Sequence, residues 1–161
     1  MLSWIPAPVH RVGLRLAYGI RKRFRRFVKP DLAGVAVLLR DGDGRFLLVR
    51  HSYGPQGWAM PGGGLNRGED PAQAARREMR EELGCELDGL ELLRSFEESF
   101  SGAQHVGHVF TARPSCDPRV DGRELTEARW FMQSELETLE LTVVTKRRLK
   151  QLGYLARAST G

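Results

Sequence analysis

The most restrictive stretch of the chain runs from Gly62 to Gly84, where three consecutive glycines lead into a helical pattern crowded with carboxylates. Asp70 has the side chain of an N-cap, Pro71 suits the first helical position, Gln73 completes a capping box, and Gly84 supplies the stop. Ala72, Ala75, Met79 and Leu83 recur at helical spacing and are the expected buried face. Glu78, Glu81 and Glu82 fall at i, i+3 and i+4, so all three emerge on one side within roughly 6 Å along the axis. Carboxylates that close repel one another and raise one another's pKa unless a cation neutralises them. An all-oxygen donor set suits Mg2+ or Mn2+, and Mg2+ is commonly held by one or two carboxylates with waters and substrate phosphates. The competing reading is a solvated, salt-bridged face in which Arg77 pairs with Glu81 one turn on, with Arg76 and Arg80 nearby.

This stretch resembles the signature of the Nudix hydrolases, G-x5-E-x7-R-E-U-x-E-E-x-G-U, where U is a bulky aliphatic residue. It falls on Gly63, Glu69, Arg77, Glu78, Met79, Glu81, Glu82, Gly84 and Cys85, with only Cys85 smaller than usual for its position. With each residue type used at about 7%, seven fixed matches arise by chance on the order of once in 10⁸ windows. The flanking "GWAMPGGG" and "ELTEARWF" resemble the family's neighbouring strands, so the likeness spans about residues 31–152. It implies an α/β protein, an α/β/α sandwich around a mixed β-sheet. It also implies a divalent metal, Mg2+ or Mn2+, held by the carbonyl of Gly62 and by Glu78, Glu81 and Glu82, with Glu69 and Arg77 orienting those carboxylates. The implied reaction is attack of water on a phosphorus of a nucleoside diphosphate linked to some group X. The general base is Glu78 or Glu82, or an outside glutamate. Glu124, six residues before Trp130, is the preferred outside candidate, with Glu97, Glu98 and Glu127 as competitors.

Substrate contacts are expected from Arg50, His51 and Tyr53 at the end of a strand, with Trp58 able to stack on a nucleobase; Trp58 as core and His51 as a strand-end hydrogen-bonding residue stay open. His105 and His108 are read as structural. Subgroup markers are absent: Ser101 stands where ADP-ribose hydrolases carry proline and Gly102 where diadenosine polyphosphate hydrolases carry tyrosine, and the array of NADH hydrolases is missing. Elimination favours a small nucleotide or nucleoside triphosphate as substrate. An RNA 5′-pyrophosphohydrolase and a non-catalytic nucleotide-sensing module remain as alternatives.

Charge is distributed unevenly over the 161 residues. Residues 1–30 hold eight Lys or Arg and no acid, which leaves 17 basic against 20 acidic side chains beyond them, within a total of +5. Val12, Leu16, Ile20, Phe24 and Phe27 recur at steps of three and four between these arginines, the pattern of a basic amphipathic helix. Its apolar stripe would pack on the domain itself or on a partner subunit, as in a homodimer. The other readings of residues 11–29 are contact with an anionic membrane surface, contact with RNA, or a processed targeting sequence. Lys29-Pro30-Asp31 divides the chain into this arm, 1–30, and a Nudix domain, 31–161.

"AGVAVLLR" and "RFLLVRH", joined by "DGDG", read as a β-hairpin. Phe46 and Ser52 stand where a calcium loop would need glycine and glutamate, so the turn is not read as a metal site. The remaining strands are expected in "LELLRSFEESF", "HVGHVFTAR" and "ARWFM", with a short helix over 132–139 and a closing helix in "TVVTKRRLKQLGYLA". Cys85 and Cys116 match no zinc or redox spacing, so neither a disulfide framework nor a Cys-rich metal site is expected, and a reducing compartment is. No apolar run of about 18 residues and no secretory h-region is present. A cytoplasmic protein, soluble or peripheral at a membrane surface, is the expectation.

Overall fold

The two apolar runs either side of Asp41–Gly44 form strands, yet they separate instead of closing a hairpin. In the computed structural model, which describes residues 33–100, 103–120 and 122–156, β1 (Ala33–Leu39) and β2 (Phe46–His51) belong to different sheets. The turn itself forms, with Gly44 N donating to Asp41 O and Asp41 N to Arg45 O, and a single bridge joins Arg40 to Phe46. Beyond it both strands are apolar at nearly every position, so each needs cover on two faces, which a lone two-stranded ribbon cannot give.

One sheet has the order β3-β1-β5-β4, with β3 at Gly62–Gly64, β4 at Leu87–Phe100 and β5 at Ala103–Pro114. β1 runs parallel to β5 and antiparallel to β3, and β4 runs antiparallel to β5. The sheet is therefore mixed, as the α/β reading required. The other sheet pairs β2 with β6 (Leu125–Phe131) in antiparallel fashion.

Alternate residues of β1 enter two cores. Val35, Val37 and Leu39 meet Ala74, Ala75, Met79 and Leu83 of helix α1 (Pro71–Leu83). Ala36 and Leu38 face Trp58, Phe131 and Leu149, the last from helix α2 (Val143–Gln151). Strand alternation thus builds a layer of helix on each face of the sheet. The buried side of α1 is wider than expected: Ala74, Glu78 and Glu82 are buried with Ala75, Met79 and Leu83, whereas Ala72 is only partly so. Two adjacent i, i+4 rows are covered instead of one, and this draws two of the three signature glutamates inward.

The helix expected over 132–139 is a 3-10 turn, Gln133–Glu135. It continues through i+3 bonds, Leu136 N to Gln133 O and Thr138 N to Glu135 O, that turn Leu136 into the second core. The closing helix starts where Thr142 Oγ1 accepts from Thr145 N and ends before Gly153, earlier than the apolar pattern suggested. The basic arm, Ser101 and Gly102 lie outside the described residues. Among the described residues no helix is long and apolar enough to cross a membrane.

The reading against a disulfide is corrected. Cys85 and Cys116 form a disulfide with Cα atoms 5.7 Å apart. Although 31 residues separate them, the chain after β5 folds back along the end of α1, with Ser115 N donating to Glu86 O and Arg119 N to Leu83 O. That return path is tertiary and left no mark on cysteine spacing. A closed loop of this size predicts that reduction, or Cys116→Ser, lowers unfolding stability by about 2–4 kcal/mol. Urea unfolding with and without reductant measures it, and an unchanged midpoint would contradict the bond's structural role.

Candidate active site

Helix α1 is started by Asp70, whose Oδ1 accepts from Ala72 N at 2.9 Å and Gln73 N at 3.1 Å, and stopped by Gly84 in the left-handed conformation. Its carboxylates meet the glycine strand β3. The amide of Gly62 donates to Glu82 Oε2 at 3.0 Å, and a Cβ on Gly63 would lie 2.5 Å from the Glu78 carboxylate. A Cβ on Gly62 would collide with the carbonyl of Val35 on β1. Glycine at both positions is therefore a steric requirement, for sheet pairing at Gly62 and for the carboxylate at Gly63. Glu78 is wholly buried and Glu82 is 3% exposed, a costly state for two carboxylates unless cations or donors face them.

Arg77 supplies the first of these. Its Nε and Nη2 donate to both oxygens of Glu69 at 2.7 and 2.9 Å, Nη1 donates to Glu78 Oε1 at 2.6 Å, and Nη2 also reaches Gly64 O at 3.0 Å. Glu69 is fixed in turn by Asn66 N at 2.7 Å. The bonds from Arg77, helped by that amide, hold the Glu69 carboxyl down at about 2. The same carboxylates push Arg77 still further above its ordinary value, Glu69 foremost. The i, i+4 pair with Glu81 is the longest of these contacts, 3.5 Å, and Glu81 is 51% exposed. Among the described residues no three His, Cys, Asp or Glu side chains converge as a metal-holding group. Glu78 and Glu82 meet at the glycine strand, whereas Glu81 leans outward beside Arg77. Helical spacing puts the three on one face, but each rotamer answers to its own hydrogen bonds.

The donor set fits a hard divalent cation, since it is oxygen only and two members are already desolvated beside bare backbone. Glu78, Glu82 and the Gly62 carbonyl would hold such an ion, with Glu81 joining by a rotation at the surface.

The other expected residues are spread along β2 and β6. Glu124 is half-buried just before β6, its carbonyl accepting from Ser52 N at 2.9 Å, and the next residue, Leu125, packs in the same core as Ala75 and Met79. His51 and Tyr53 are half-buried at the end of β2. Of the two readings of Trp58 the structure has the core one: it is 4% exposed, with Phe131 edge-on at 4.8 Å and the Arg50 guanidinium over its ring at 4.6 Å. Protein surrounds the ring, and the Arg50 guanidinium lies over one face of it. His108 bonds Ser95 Oγ through Nδ1 at 2.8 Å, and burial, with Arg148 adding to it, lowers its pKa.

Two residues on α2 escaped the sequence reading. Thr145 Oγ1 accepts from Met60 N at 3.2 Å and pins the approach to β3, and Arg148 lies against Gly107 of β5. Neither belongs to a recognisable spacing.

A profile of the NUDIX domain matches residues 30–152. The chain is 44% identical over 55 residues to an RNA pyrophosphohydrolase of Rhodospirillum rubrum, covering 34% of this chain and 33% of that protein. It is 34% identical over 112 residues to the mitochondrial NAD(P)H pyrophosphatase NUDT13 of Homo sapiens, covering 68% and 32%. The chain thus spans about a third of the length of these curated relatives. The crystal structure of a MutT NUDIX hydrolase from Burkholderia pseudomallei superposes with a TM-score of 0.66 at 30% identity, covering 75% of this chain and 97% of that one.

The Arg77–Glu69 pair generates a pH prediction. A folded-state pKa below the ordinary glutamate value of 4.5 contributes stability that is complete above that value and is lost as pH falls towards about 2. Glu69→Gln should therefore cost about 1–3 kcal/mol at pH 7, after allowance for solvent screening, and the gap to wild type should close on acidification. Thermal unfolding across pH 2–7 measures this; a gap independent of pH would contradict it.

Proposed function

The chain belongs to the Nudix family, and on that premise we propose that it is a pyrophosphohydrolase, dependent on Mg2+ or Mn2+, that cleaves a nucleoside diphosphate linked to X. The observation that carries this reading is the pair of buried carboxylates, Glu78 and Glu82, set against Gly62–Gly63 and braced by Arg77 and Glu69. A helix face built only for solubility has no reason to bury two carboxylates beside bare backbone. A module that only sensed nucleotides would likewise not need all three signature glutamates.

In the proposed reaction the oxygen of water forms a bond to phosphorus, the phosphoanhydride P–O bond breaks, and the leaving phosphate takes the electron pair. The divalent ion, when bound, supplies the positive charge that screens the phosphates and acidifies the attacking water. Glu78 and Glu82, with Glu81, bind that ion through oxygen. Arg77 fixes Glu78 by a charge-assisted bond, and Glu69 fixes Arg77, so the ligand is aimed before substrate arrives. The proton lost by water goes to a carboxylate, Glu78 or Glu82, or Glu124 at the head of β6. His51 and Tyr53 remain as substrate contacts at the end of β2, whereas Arg50 and Trp58 act as a packed pair.

Small nucleotides, nucleoside triphosphates among them, are the favoured substrates. A 5′-triphosphate RNA end is the second reading, favoured by the relatives named RNA pyrophosphohydrolase and by the eight basic residues within 1–30. Backbone contacts from such an arm would make RNA turnover steeply salt-dependent, with free nucleotides much less affected.

Phosphate release from nucleoside triphosphates, nucleotide sugars, dinucleotides and 5′-triphosphate RNA, with Mg2+ or Mn2+, tests the proposal. At least one substrate should be cleaved in a metal-dependent way, and Glu82→Gln should lower its kcat by about 100-fold or more without unfolding the protein. Absence of metal-dependent cleavage across the panel, by folded protein, would reject it.

A further inference from the structure

The bond between Cys85 and Cys116 has one end inside the protein and one at its surface. Cys85 is wholly buried behind the end of α1, whereas Cys116 is exposed on the segment that returns from β5. Cys116 lines an open cavity of about 300 Å3 together with Arg40, Arg45, Arg113, Asp41 and Asp117. Arg45 is occupied there, 2.6 Å from Asp41 and 3.4 Å from Asp43, and Arg40 lies over the Phe46 ring at 4.8 Å. Arg113 is exposed and stands opposite Asp88 on the β4–β5 ladder, yet among the described residues its guanidinium makes no ion pair or hydrogen bond. Backbone contacts hold the segment on either side of the disulfide. Pro114 pairs with Leu87, Ser115 N donates to Glu86 O, and Arg119 N donates to Leu83 O. The bond can therefore open without releasing the chain.

We propose that Cys116 is a thiol-exchange site that takes a small, carboxylate-bearing thiol, with Arg113 holding the carboxylate. Exchange requires a thiolate to reach one sulfur of the disulfide from outside, and burial of Cys85 leaves Cys116 as the point of attack. The incoming thiolate forms an S–S bond to Sγ of Cys116 and the Cys85–Cys116 bond breaks. Sγ of Cys85 leaves with the electron pair and takes a proton from water. Burial in apolar surroundings then keeps Cys85 a neutral, unreactive thiol, so the modification resides on Cys116. Arg113 acts in two ways: its planar fork matches a carboxylate, and its charge favours a thiolate at the neighbouring sulfur. A cavity of this size suits a small molecule, which points to a peptide-sized thiol.

The test treats the full-length, oxidised protein under native conditions with glutathione or with its diethyl ester, which has the same scaffold but lacks both carboxylate charges. Acid quenching and peptide mass analysis locate the adduct. At early times glutathione should be found on Cys116, with Cys85 as a free thiol. Per thiolate, glutathione should open the bond about 3–10-fold faster than the ester. Arg113→Gln should remove most of that advantage, and Arg113→Lys, which keeps the charge without the fork, should retain part of it. Arg113 is exposed, so both variants should keep the fold, which circular dichroism verifies. An adduct on Cys85, no opening short of denaturation, or equal rates for the two thiols would overturn the proposal. So would an advantage for glutathione that survives intact in Arg113→Gln.

Discussion

The structure depends on one cation, the guanidinium of Arg77. Its five donors are distributed among Glu69, Glu78 and the carbonyl of Gly64, with Glu81 at the margin. This couples the loop before α1, the helix itself and the glycine strand. Burying a carboxylate as completely as Glu78 is unfavourable unless a partner is held in place. Arg77 is that partner, and Glu69 keeps it from turning to solvent. Truncating Arg77 would leave a buried anion uncompensated, a loss of the order of 3–5 kcal/mol in comparable cases. The planar fork is essential here, because a lysine could not serve two carboxylates and a carbonyl in fixed directions.

The backbone contributes the other half of the site. β3 is short, and two of its glycines have separate reasons: contact with β1 at Gly62 and room for the Glu78 carboxylate at Gly63. The two cores meet at β1, whose odd residues face α1 and even residues face α2. The same alternation puts the Glu78 carboxylate on one side of the sheet and Arg148 on the other.

Much of this could be read from sequence where the interaction is local. Asp70, Pro71 and Gly84 set the ends of α1, and the i, i+3, i+4 glutamates lie on one face, because helix geometry is fixed by neighbours in sequence. The resemblance implies an orienting role for Glu69 and Arg77, and in the structure Arg77 hydrogen-bonds Glu69 and Glu78. What escaped was tertiary. The hairpin opened because β1 and β2 each required two covered faces. The cysteines paired because residues 115–119 return along the end of α1. Arg148 found Gly107 through the packing of α2 on β5. None of these leaves a periodicity or a spacing behind.

The central claim is that Glu78 and Glu82, pressed against Gly62–Gly63, hold a divalent ion. Titration of Mn2+ by paramagnetic resonance tests it most directly, with wild type compared to Gly63→Ala and Glu78→Gln. Gly63→Ala changes no ligand and adds only a methyl group where the Glu78 carboxylate lies. Tight binding by wild type, weakened in both variants while the fold persists, is the predicted result. Mn2+ binding of equal strength in all three would contradict the account.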